Sequence, residues 1–235
     1  RKKFLDTGFF VSVCGLDGSG KSSAVQALFD FYSRYFSVKI IHMGRPSPTV
    51  LTFVFWLVLK FIGLIRHSKA KNKKTIEQFL PKNNTSHFMA VRYLILAYER
   101  YRCSMRAQKL LSKGYIVISD RFPSLSYGKM DSPRISMVEN PTFIYSILSR
   151  LEKRLYLSIL PCDSLYYLSV PVDVAIERNA NRDKVGKETD NEIRARYIVN
   201  DKLEYQVDSF TCVDATIPLE ELHAYLKKDC WKNIG

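Results

Sequence analysis

The sequence predicts a three-layer α/β fold, a parallel five-stranded sheet with helices on both faces. Three observations carry that expectation. Short apolar runs alternate with segments of helical periodicity along the 235 residues. Buried strands of this kind suit a parallel sheet covered on both sides. The stretch Gly15-Leu16-Asp17-Gly18-Ser19-Gly20-Lys21-Ser22 stands between the first apolar run and the first helical segment. No internal repeat, low-complexity tract or linker interrupts the alternation, so a single domain over residues 1–235 is expected.

The elements follow in order. Phe9 to Cys14 is apolar and partly β-branched, a buried strand. Residues 23–35 carry Val25, Leu28, Phe29 and Tyr32 at helical spacing. Residues 38–43 read as the second strand, closed by Gly44-Arg45-Pro46-Ser47-Pro48, where two prolines forbid a long helix. Residues 86–113 form a long helical pattern with Met89, Tyr93, Leu96, Arg100, Cys103 and Ala107 on adjoining faces, and Gly114 closes it. Strand 115–119 leads into Asp120-Arg121-Phe122-Pro123. A polar loop over 131–140 precedes a helix over 143–160 and a strand over 164–170. A helix opens at 172 and runs into Arg178, Arg182, Lys184 and Lys187. A short strand at 211–214 and a helix at 219–231, with Leu222, Tyr225 and Leu226 inward, complete the chain.

Residues 50–65 break the rhythm. Only Thr52, Lys60 and Gly63 interrupt an apolar run, and as a helix those three share a narrow stripe. Sixteen helical residues would span roughly 24 Å, short of the ~30 Å hydrocarbon core of a bilayer. A basic run from Arg66 to Lys74 follows. Residues 50–74 therefore read in two ways: as an interfacial membrane anchor, or as a helix buried in the core or in a homodimer interface with a solvated basic loop behind it.

A net charge of +13 favours phosphorylated small molecules, nucleic acid or an anionic membrane. No zinc-ligand spacing or aromatic RNA-binding motif supports nucleic acid, which is not expected as a partner. Five scattered cysteines without metal spacing suit a reducing, cytoplasmic setting. Cys14 and Cys212, in strand-like runs, are expected to be buried thiols. Asp6 and the glycine stretch interrupt any apolar run near Arg1, so no secretory signal is expected there.

Residues 15–22 fit the G-x-x-x-x-G-K-[ST] pattern at every fixed position. Gly15, Gly18 and Gly20 let the backbone curl and turn successive N–H groups inward, together with those of Ser19, Ser22 and Ser23 at the helix start. Lys21 would reach the β- and γ-phosphates of ATP, and the Ser22 hydroxyl would ligate Mg²⁺. Asp120, at a strand end, can orient the same Mg²⁺ or its waters. Arg121 beside it offers a fork to a second phosphate; a plain ion pair at a strand end is the other reading. Arg178 and Arg182 share a helix face and, as part of a closing lid, would neutralise a transferring phosphoryl group; a solvated helix end is the alternative. Arg45 follows a strand end on the phosphate-loop edge of the sheet, or is simply a solvated loop residue.

These residues together resemble the thymidylate kinases. The glycine stretch with Asp17 inside it is similar to that family's phosphate loop. Residues 94–100, ending in Glu99-Arg100, resemble its apolar helix, and Asp120-Arg121-Phe122 its Asp-Arg-Tyr motif. Residues 178–187 resemble its lid, and Asp214-Ala215 with Pro218 and Glu220 its last strand and helix. The likeness spans nearly everything except residues 50–74, which look like an insertion. It implies a P-loop kinase fold with a basic lid over residues 174–200, and it implies roles. Asp17, Arg100 and Arg121 would hold the acceptor, Arg121 on its phosphate and Arg45 near it. Lys21, Ser22 and Asp120 would serve ATP and Mg²⁺, and Arg178 and Arg182 would close over the moving group. The position that stacks an aromatic ring on thymine falls on Leu96. Pro123-Ser124-Leu125-Ser126-Tyr127 stand where the family reads the base.

The resulting expectation is phosphoryl transfer from ATP to a nucleoside monophosphate such as dTMP or a related acceptor. One alternative is a kinase for a deoxynucleoside, with Glu99 as base, or for a sugar or lipid-linked saccharide at the inner face of the membrane. Another is a membrane-associated nucleotide-binding module without turnover.

Overall fold

The computed structural model describes residues 5–49, 52–54, 57, 87–135, 142–181 and 189–234. Most of the 50–74 segment, Arg182 and part of the lid lie outside these residues.

Five parallel strands form one sheet: β1 (Phe9–Gly15), β2 (Val38–His42), β3 (Ile116–Asp120), β4 (Cys162–Ser169) and β5 (Val207–Asp214), in the order β2-β3-β1-β4-β5. Between them run α1 (Lys21–Tyr32), α2 (His87–Leu111), α3 (Phe143–Leu157), α4 (Val172–Ala180) and α5 (Asp190–Val199), with α6 (Leu219–Ile234) after β5. The expected three-layer α/β architecture is what the chain adopts.

Alternation along β1 makes the layers. Phe9, Val11 and Val13 face Ala24, Val25, Leu28 and Tyr32 of α1 and Leu222 and Leu226 of α6. Phe10 and Cys14 face the other way, against Ala97 and Ala107 of α2 and Tyr156 of α3. Successive residues of a strand point to opposite faces, so one continuous apolar run feeds two cores.

The chain leaves β1 toward β3 on one side and β4 on the other, so β1 is where strand order reverses. Ligands of open parallel sheets bind outside the carboxyl ends of the strands at such a point. Gly15 pairs with Leu168 and Val13 with Asp120, which brings the ends of β1, β3 and β4 together there.

Two features differ from expectation. β5 begins at Val207, four residues earlier than the apolar pattern indicates. As an edge strand it exposes Asp208, Ser209 and Phe210, so its sequence need not be apolar. Cys212 sits on that same edge and is exposed, not buried; Cys14, in the central strand, is buried, and burial pushes its thiol up to about 12. Among the described residues no helix is long and apolar enough to cross a membrane.

Candidate functional site

The glycine loop is closed by its own contacts. Gly15, Gly18 and Gly20 have φ of 141°, 94° and 89°, values a side chain resists. Gly20 is the N-cap of α1, so the helix starts at Lys21, two residues earlier than its apolar spacing implies. Lys21 is 7% exposed. Its Nζ donates to the Leu16 carbonyl at 2.6 Å and to Ser19 Oγ at 3.4 Å, and lies 3.9 Å from Asp17 Oδ1. Ser22 and Ser23 are exposed at the helix start, Ser19 is buried.

Burial, and then the charge of Arg121, lower Lys21 to about 8, with Asp17 and Asp120 opposing. The sign has a measurable consequence. Above about pH 8 the free protein holds Lys21 partly neutral, whereas ATP phosphates favour its charged form. ATP binding at about pH 8.5 should therefore take up a proton. Calorimetry in buffers of different ionisation enthalpy reads this directly, and a buffer-independent enthalpy would contradict it.

Asp17 is the junction of the site. Arg121 donates to Asp17 Oδ1 at 2.7 Å, and Arg196 of α5 donates to Asp17 Oδ2. Burial works to raise the Asp17 carboxyl, but Arg121, Lys21 and Arg196 outweigh it and hold the group below the usual carboxylate range.

Arg121 gets there by a backbone turn. Its φ is 68°, left-handed for a non-glycine residue. The turn is held from both sides: its N–H donates to the Val13 carbonyl at 3.0 Å, and its carbonyl accepts from Ser119 Oγ at 2.6 Å. Gly44 leaves the space its side chain needs, since a Cβ there would stand 2.3 Å from Arg121 Cδ. Asp120, one residue earlier, accepts through Oδ2 from His42 Nδ1 at 3.3 Å, while its buried Oδ1 has no hydrogen-bond partner among the described residues.

That orphaned oxygen fits a divalent cation. Among the described residues no cluster of three or more His, Cys, Asp or Glu is preassembled. A Mg²⁺ at Asp120 and Ser22 would thus draw its remaining oxygens from phosphate and water, as this ion commonly does.

Beyond Asp17 opens a cleft of about 670 Å³, lined among others by Arg45, Leu96, Arg100, Arg121, Asp131, Tyr156 and Arg196. Arg45 is exposed at its edge and Leu96 is half-buried in its wall. Arg100 is 3% exposed and heavily engaged. Its Nε donates to the Met43 carbonyl and one terminal nitrogen to the Gly44 carbonyl, both at 3.1 Å. It also donates to Asp131 Oδ1 at 2.6 Å and to the Tyr156 hydroxyl. Of the five N–H groups on a guanidinium, one is left for a ligand. Asp131, itself at φ 57°, also lies 3.5 Å from Arg121.

The remaining expected residues lie as follows. Arg178 donates to the carbonyls of Gly18, at 3.4 Å, and Ala215, at 2.9 Å, so it braces the glycine loop against the turn after β5. Arg182 is outside the described residues. Ser126 accepts from the Glu204 N–H at 2.8 Å and does not line the cleft. Glu99 Oε1 accepts from the Thr49 N–H at 2.8 Å and from the hydroxyls of Thr49 and Thr52, which occupies the carboxylate considered above as a base.

Sequence reasoning missed Asp131, Tyr156, Arg196 and Asn200. Asn200 holds the cleft wall by accepting from the Met130 N–H at 2.6 Å and donating to the Arg196 carbonyl at 2.8 Å. One signal was available. Thr189 and Glu192 form a capping box, whose spacing marks the start of α5 and hence a helix carrying Arg196.

A glycine loop at the switch point, a buried lysine within it and an arginine-lined cleft beside it define a P-loop α/β protein of the nucleotide-binding kind. No family model matches the chain. Curated relatives do. A thymidylate kinase of Thermosipho africanus is 24% identical over 230 residues, covering 96% of this chain and 98% of that one. A thymidylate kinase of Fervidobacterium nodosum is 25% identical over 93% of this chain and 96% of its own length. The uncharacterized ATP-binding protein YghR of Escherichia coli K12 is 24% identical over 90% of this chain and 82% of its own. These full-length similarities support a divergent thymidylate kinase-like P-loop kinase.

Proposed function

We propose that this protein transfers the γ-phosphoryl group of ATP, with Mg²⁺, to a nucleoside monophosphate such as dTMP or to a related phosphorylated small molecule. The observation that carries the reading is the Asp17–Arg121 pair at 2.7 Å. It ties the donor loop to the arginine at the head of the cleft, so a phosphate in the loop and an acceptor in the cleft meet at one point.

In this reading the bond from the γ-phosphorus to its bridging oxygen breaks and a bond to an acceptor phosphate oxygen forms. Lys21 holds the β- and γ-phosphates, Arg121 holds the acceptor phosphate, and the loop N–H groups fix the donor. Bound Mg²⁺ at Ser22 and Asp120 would neutralise charge on the β- and γ-oxygens. Arg178 contributes by holding the loop in shape, and Arg182 remains an expected lid cation.

A second reading, a kinase for a sugar or lipid-linked acceptor, draws support from the cleft wall. Leu96 supplies apolar contact without the flat π-face that stacks on a base. Membrane contact through residues 50–74 belongs to that reading. A panel of acceptors with radiolabelled ATP separates the two. Turnover of dTMP well above that of sugar phosphates and other nucleotides supports the first reading; labelling of none of the acceptors would remove both.

A further inference from the structure

We propose that the acceptor carries a second anionic group, a carboxylate or a phosphate, held by Arg92 and Arg134 at the end of the cleft remote from Arg121. The inference rests on the kinase reading only for what happens at the Arg121 end; the second site stands on its own observations.

Arg92 comes from α2 and Arg134 from the segment after β3, yet both line the same cleft as Arg100 and Arg121. Arg100 and Arg121 are tied to Asp131 and Asp17. Arg92 and Arg134 are exposed, and neither guanidinium forms an ion pair or hydrogen bond with any described residue. The Arg134 guanidinium instead lies over the Tyr93 ring, 5.6 Å from its centroid. That face contact orients the planar fork and leaves its N–H edge free.

Tyr93 and Leu96 lie between Arg92 and Arg100 on the cleft face of α2, at spacings that keep all four on adjoining faces of the helix. Eight residues separate Arg92 from Arg100, about 12 Å of helix at 1.5 Å per residue. The cleft therefore presents cations at both ends and an apolar and aromatic wall between. Glu152 lines the same cleft and feels the charge of Arg134, but its carboxylate is engaged by the N–H groups of Arg134 and Ile135 and pairs with neither guanidinium, which leaves both forks open to one shared anion. A ligand with one phosphate and a neutral far end would leave them unmatched.

Binding of small probes tests this without requiring turnover. Titration calorimetry would compare hexyl phosphate, 6-(phosphonooxy)hexanoate and 1,6-hexanediol bisphosphate, which share one chain and differ only at the far end. The expected result is at least about tenfold tighter binding of the two probes that carry an anionic group at each end. In the Arg92→Gln/Arg134→Gln double variant the gain should shrink to about twofold or less, with hexyl phosphate and ADP bound as before. An Arg34→Gln/Lys39→Gln variant, with the same change in net charge away from the cleft, should keep the gain. A gain for both of these probes identifies a general anion site, and a gain for the bisphosphate alone identifies a phosphate site. Equal affinity for all three probes, no binding of any, a gain that survives the double variant, or one lost equally in the control would overturn the proposal. Absence of phosphoryl transfer would sink the kinase reading and leave this affinity difference standing.

Discussion

Replacing Lys21 with alanine should lower phosphoryl transfer by roughly 10³-fold, the loss that follows removal of one preorganised charge at a reacting centre. The fold should survive. The lysine is buried with its pKa lowered to about 8, so the folded chain holds that charge against a desolvation cost. Its bonds, to the Leu16 carbonyl and Ser19 Oγ, lie within the loop itself. Taking the side chain away relieves the cost and leaves both sheet cores intact. A coupled assay should show the loss while the melting temperature stays within a few degrees. Activity near that of the unaltered protein would refute the role given to Lys21.

Arg100→Met should act in the opposite way, mainly on stability. The guanidinium joins the turn after β2 to α3 and to the Asp131 loop. Burial disfavours its charge, but Tyr156 and Asp131 outweigh that and raise its pKa further above the ordinary arginine value. A methionine fills much of the volume and satisfies none of those partners. Breaking a buried pair from one side costs about 3–5 kcal/mol. At roughly 2–4 °C per kcal/mol for a chain of this size, the melting temperature should fall by about 6–20 °C. Unchanged melting with a selective loss of acceptor binding would instead make Arg100 a ligand contact.

What could be read from the sequence was what is local. Gly15 to Ser22 are contiguous, and Asp120-Arg121 follow an apolar strand directly, so pattern alone placed them at one sheet edge. Arg196 and Asp17 are 179 residues apart and meet because the chain returns through α5. No local spacing carries that pairing. Asp131 looked like one more polar loop residue, and only its left-handed backbone and two arginine neighbours set it apart. Cys212 and the first half of β5 were misjudged for one reason: an edge strand with an open face loses the apolar alternation that announces a strand. The sequence marks Arg178 as a lid cation, whereas its backbone partners Gly18 and Ala215 depend on where β5 ends.

Asp17 answers to three cations from three parts of the chain: Lys21 in the glycine loop, Arg121 at the head of the cleft and Arg196 on α5. A ligand that draws one of them away changes the charge balance felt by the other two. Equilibrium linkage then requires reciprocity: whatever factor the donor imposes on acceptor affinity, the acceptor imposes on donor affinity. Under the proposed reading, a donor phosphate that draws Lys21 away from Asp17 would alter the hold of Asp17 on Arg121, and acceptor affinity with it.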